Sequence, residues 1–84
     1  MRIRFTSHAK DKFLILERHG FYVSEDMVKD VVLNPDKVEK GKKGRMVAQK
    51  VIDDEHVLRV VYEIENDEIL IVTFYPGRRK RYED

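Results

Sequence analysis

The chain has 84 residues, enough for one domain that buries roughly 60–65% of its unfolded surface around a single core. It has no cysteine, which excludes a disulfide framework and thiolate metal ligation, and its net charge of +1, from 17 Lys and Arg against 16 Asp and Glu, excludes a polycation. No stretch approaches the ~20 apolar residues of a membrane span, and the start, MRIRFTSHAKDKF, lacks the apolar core of a signal peptide, so the expectation is a soluble, cytoplasmic protein.

Arg2 to Thr6 alternates apolar and charged residues and predicts a short strand. Ser7 is the expected N-cap of a first helix, with Ala9, Phe13 and Leu16 as its core-facing stripe and Gly20 as its stop. His8 falls in the first turn, at the positive end of the helix dipole, where a neutral imidazole could accept a proton. The plainer reading of His8 is a capping or surface hydrogen-bonding residue. Ser24 opens a second helix, with Glu25 and Asp26 in its first turn, Met27, Val28, Val31 and Val32 on its apolar face, and Asn34-Pro35 at its end. Lys37 to Lys43 reads as a short edge segment leading into a basic loop, with Lys42 and Lys43 between Gly41 and Gly44.

Arg45 to Ile52 alternates weakly and predicts a strand, and Asp53-Asp54-Glu55 turns the chain into a hairpin. The hairpin runs from Val57 to Tyr75 around the polar cluster Glu65-Asn66-Asp67. Period-two alternation puts Leu58, Val60, Leu70 and Val72 toward the helices. It leaves Val57, Arg59, Val61, Ile69, Ile71, Thr73 and Tyr75 on the opposite, open face. Pro76-Gly77 is expected to stop the strand, and Arg78, Arg79, Lys80, Arg81 and Tyr82 follow as a basic tail rimming that face. The fold class is therefore α+β, a two-layer β-α-α-β-β-β domain over residues 1–84 whose antiparallel meander is covered on one face by a helical hairpin. His8, His19 and His56 fall into no recognisable ligand spacing, so no metal and no cofactor is expected.

The stretches Arg59-Val60-Val61-Tyr62-Glu63-Ile64 and Gly77-Arg78-Arg79-Lys80-Arg81-Tyr82, in that element order, resemble the RelE/ParE toxin superfamily. The opening Ser7-His8-Ala9 and the segment Glu17-Arg18-His19-Gly20 resemble its branch known as domain of unknown function 4258. The resemblance implies metal-free cleavage of RNA driven by the 2′-hydroxyl, commonly on ribosome-bound mRNA, and an antitoxin protein as partner. That chemistry needs a base for the 2′-hydroxyl, cations for the charge building on phosphorus and an acid for the 5′-oxygen. The matching positions are Arg59 with Arg78 or Arg79 as cations and Tyr82 as proton-transfer or stacking residue. His8 is added by this sequence as candidate base.

Lys42, Lys43, Arg45, Tyr75, Arg78 and Arg81 are the candidate contacts to the rest of the nucleic acid. Each has a plainer reading: Arg59 paired with Glu63 or Glu68, Tyr82 as an apolar plug over Ile69 and Ile71, Tyr75 as an aromatic strand rim. The apolar open-face residues Val57, Val61, Ile69 and Ile71 suggest where an antitoxin would sit. The alternative readings are a non-catalytic nucleic-acid-binding module and a homodimeric interaction domain of the same fold.

Overall fold

The structure is a computed structural model that describes residues 2–83. Among them, five strands form one sheet in the order β1-β5-β4-β3-β2. These are β1 (Arg2–Phe5), β2 (Lys37–Lys40), β3 (Met46–Val51), β4 (His56–Glu65) and β5 (Glu68–Arg78). The helices α1 (Ser7–Arg18) and α2 (Glu25–Leu33) cross over between β1 and β2, and α3 (Arg79–Tyr82) is a single turn after β5. The strands β2 to β5 are antiparallel and β1 adds parallel to β5, so the two-layer α+β architecture read from the pattern is the one observed. The short edge segment is a paired strand, β2, and the lysine loop after it closes as a turn over Lys42–Gly44. Among the described residues no helix is long and apolar enough to cross a membrane.

The helix ends follow their local chemistry, with one correction. Thr6, not Ser7, caps α1: its extended backbone lets Oγ1 accept the Ala9 N–H at 3.1 Å, and Ser7 is already the first helical residue. The helix closes with Phe21 N–H donating to Leu16 O at 2.8 Å and Gly20 N–H to Glu17 O at 2.9 Å. That closure needs Gly20 at φ +80°, where a side chain is disfavoured. Ser24 caps α2 by accepting the Met27 N–H.

The core lies between the helices and one face of the sheet. Ala9, Val28 and Val31 come from the helices, and Ala48, Leu58, Val60, Ile71 and Phe74 from the strands. Phe74, fully buried, packs on Phe13 with ring centroids 4.7 Å apart.

The hairpin between β4 and β5 turns on Asn66 and Asp67, both at positive φ, as a tight two-residue turn whose twist suits the strands. The register then shifts once. Val61 opposes Thr73 but Tyr62 opposes Ile71, so Val72 is skipped as a bulge. This one residue overturns half of the expected face assignment. Strict alternation would bury Leu70 and Val72, whereas Ile69 and Ile71 are buried in the core and Leu70 and Val72 are only half-buried. Thr73 and Tyr75 remain on the face away from the helices, opposite Val61 and Arg59, as expected. The apolar patch expected for a partner is therefore dissolved, since Ile69 and Ile71 belong to the core and Val57 is fully buried opposite Gly77.

Pro76-Gly77 does not stop β5 either: Pro76 opposes Leu58 and Gly77 opposes Val57. The strand β1 pairs only with Glu68 to Ile71, so beyond that point β5 is an outer strand, where a residue without an N–H is tolerated.

Candidate functional site

The register aligns one polar row across four strands on the helix-free face. Lys37 of β2 opposes Gln49 of β3, Gln49 opposes Arg59 of β4, and Arg59 opposes Tyr75 of β5. Directly opposed residues share a face with Cβ atoms about 5 Å apart, so the row is in side-chain contact by construction.

Arg59 is its centre and is only 8% exposed. Its Nε donates to Tyr75 Oη at 3.0 Å, one terminal nitrogen donates to Gln49 Oε1, and the other donates to Glu39 Oε1 at 2.8 Å. Burial opposes the charge on Arg59, but the hydrogen bonds to Tyr75 and Glu39 outweigh it and hold the guanidinium above its ordinary value. Reciprocally, the hydrogen bond and charge of Arg59 hold the Glu39 carboxyl below its ordinary value.

The turn α3 folds back over this row. The Arg79 N–H donates to Glu55 O at 2.9 Å, which fixes the start of the turn. The Tyr82 ring then lies over the Arg59 guanidinium, 4.4 Å from its carbon to the ring centroid, while Tyr75 lies 5.8 Å away. The Tyr82 carbonyl accepts from Lys37 Nζ at 2.9 Å and from Gln49 Nε2 at 3.3 Å. Gly77 makes this possible: a Cβ there would run into the Tyr82 ring.

The expected site residues divide accordingly. Arg59, Tyr75 and Tyr82 are brought together. Arg79 stands in the same turn as Tyr82, but its Nε bonds Glu83 Oε1 at 2.7 Å, and that carboxylate raises its pKa. Arg78 is exposed and lines a depression with Asp54, Glu55, Arg79 and Lys80, and Arg81 is exposed on the same turn. His8 is apart: its Nε2 lies 3.2 Å from Thr73 Oγ1, two residues and about 7 Å along β5 from Tyr75. Lys42 and Lys43 are exposed on their turn, and Arg45 Nε pairs with Glu63 Oε1 at 2.9 Å. That turn precedes β3, whose Gln49 lies three residues, about 10 Å, beyond Met46. Arg59 pairs with neither Glu63 nor Glu68, because β4 turns it toward β2 and β3, where Glu39 and Gln49 wait. Tyr82 covers Arg59 and Gly77 rather than Ile69 and Ile71, which lie under the helices.

Sequence reasoning missed Glu39, Gln49 and Lys37. Their signal is the register itself, since each faces Arg59 only once β2 and β3 are paired in frame. Among the described residues, no cluster of three His, Asp or Glu side chains has the arrangement of a metal site. What the site offers is a desolvated planar cation between two phenols, with one terminal nitrogen directed at a carboxylate on the solvent side. Comparison with protein families, with curated proteins and with solved structures finds no match for this chain.

Proposed function

We propose that the chain is a small RNA endonuclease of the RelE-like toxin type, with its centre at Arg59 and Tyr82. The observation that carries this reading is the Tyr82 ring stacked 4.4 Å from the Arg59 guanidinium on the face away from the helices. In the reaction, the 2′-oxygen attacks the adjacent phosphorus and its proton passes to a base. The bond to the 5′-oxygen breaks and that oxygen takes a proton, leaving a 2′,3′-cyclic phosphate and a 5′-hydroxyl. Arg59 and Arg79 would stabilise the charge gathering on the phosphoryl oxygens, and the Tyr82 phenol would protonate the leaving oxygen. His8, at the start of α1 and beside Thr73 of β5, is the candidate base, and the exposed Lys42, Lys43, Arg78 and Arg81 would contact flanking phosphates. An antitoxin protein is the partner and the cytoplasm the location that go with this reading.

A second reading is favoured by the engagement of Arg59 with three protein acceptors: a nucleic-acid-binding module without catalysis. The two separate when purified protein is incubated with single-stranded and structured RNA in EDTA. Cleavage leaving cyclic phosphate ends supports the nuclease, and Arg79→Ala and Tyr82→Phe should each slow it by roughly 10²-fold while stability stays within about 1 kcal/mol. Retained binding without cleavage, weakening steeply with salt, would establish the second reading, and no binding at all would overturn both.

A further inference from the structure

We propose that Glu39 occupies the anion seat of Arg59, and that a phosphate group binds this site by displacing the Glu39 carboxylate. The proposal rests on the reading of Arg59 as a phosphate-binding residue and names how that seat is kept before a ligand arrives.

The three acceptors on Arg59 are not equivalent. Gln49 and Tyr75 stand directly opposite Arg59 on the neighbouring strands, Gln49 at 3% exposure and Tyr75 half-buried. Glu39 comes from the outer strand β2, directly opposite Val47 rather than Arg59, and reaches over. Its side chain is 46% exposed against 10% for Arg59. It is thus the most exposed acceptor of the three, and it can swing into water by rotating its own bonds. It is also the one that is charged, and a carboxylate oxygen on a guanidinium nitrogen at 2.8 Å takes the place a phosphoryl oxygen would take.

Electrostatics favours exchange over simple addition. A buried guanidinium stripped of its counter-ion is costly. When one anion replaces another, Arg59 is not left bare. Lys37, two residues before Glu39 on the same face of β2, supplies a second cation at the seat and already donates to the Tyr82 carbonyl. The Arg59 hydrogen bond, with a smaller contribution from Lys37, holds Glu39 in its charged form, so the seat is filled at neutral pH.

A tethered carboxylate competes as though present at millimolar concentration, so it screens out weakly held anions. Glu39→Gln should remove that competition and leave a neutral acceptor in its place.

The test follows the Arg59 Nε–H resonance by NMR, assigned with Arg59→Lys, while inorganic phosphate is titrated into wild type and Glu39→Gln. The expected result is binding roughly tenfold or more tighter in the variant. In wild type, the Glu39 side-chain carboxyl signal should move with the same midpoint as Arg59, a measurement that does not depend on the variant folding. Equal affinities in the two proteins, movement of Arg59 without Glu39, or no response of Arg59 in either would each overturn the proposal. RNA cleavage is scored separately: exchange at Arg59 without cleavage sustains the seat and retires the nuclease, and cleavage without exchange does the reverse.

Discussion

Arg59 carries a positive charge into a site with little water, and the acceptors around it decide what its loss would cost. Arg59→Ala leaves the Oε1 of Gln49, a buried residue, without its donor and empties the space under Tyr82. An orphaned buried polar group costs about 1–3 kcal/mol, so urea denaturation at neutral pH should show a loss of that size. Arg59→Lys should not restore it, because an ammonium on a flexible stem cannot serve three acceptors at the angles of a planar fork. Recovery of full stability by lysine would mean that charge alone matters at this position.

At the scale of elements, the bulge at Val72 lets one strand serve two surfaces. It allows Ile69, Ile71 and Phe74 all to face the helices while Thr73 and Tyr75 face away. Deleting Val72 should therefore be tolerated, at about 1–2 kcal/mol, because the flanking residues keep their faces in an unbroken ladder. Deleting Leu70 instead should cost substantially more, since the same closure would turn the fully buried Ile71 outward and Val72 inward. Comparing the two deletions by chemical denaturation checks the assignment. This bulge is also where the sequence stopped being legible. Val72 sits in the unbroken apolar run Ile69 to Val72, where period-two patterning carries no mark of a skipped residue. The helix boundaries were readable because caps act locally, and even there the adjacent hydroxyls of Thr6 and Ser7 differ only in backbone angle, which composition does not encode. The site was half legible: Arg59, Tyr75 and Tyr82 stand out in the closing hairpin and its tail, whereas Glu39 and Gln49 lie 20 and 10 residues from Arg59 in the chain and meet it only through strand register.

For the whole molecule, three carboxylates tie separate parts together and set its response to acid. Lys50 and Asn34 hold Asp30 below its ordinary pKa where α2 meets β3, and the Glu55 N–H, with His56, does the same for Asp53 in the turn between β3 and β4. Arg59 does so for Glu39 across β2 and β4. A carboxyl depressed in the folded state contributes stability above its unfolded pKa and loses it as pH falls through the folded one. The melting temperature should therefore drop as pH is lowered through and below the ordinary values, 4.5 for Glu39 and 3.8 for Asp30 and Asp53. In Asp30→Asn that acid slope should be shallower, and an unchanged slope would show that the contact with Lys50 does not contribute.

The row from Lys37 through Gln49 and Arg59 to Tyr75 has one more effect, on which arrangements of the chain are forbidden. A slip of two residues between neighbouring strands keeps every apolar side chain on its own side, so hydrophobic patterning is blind to it. It would nonetheless part a nearly buried guanidinium from the acceptors on one of its two sides. The row thus proofreads strand alignment, penalising the one class of misfolded meander that the core itself would accept.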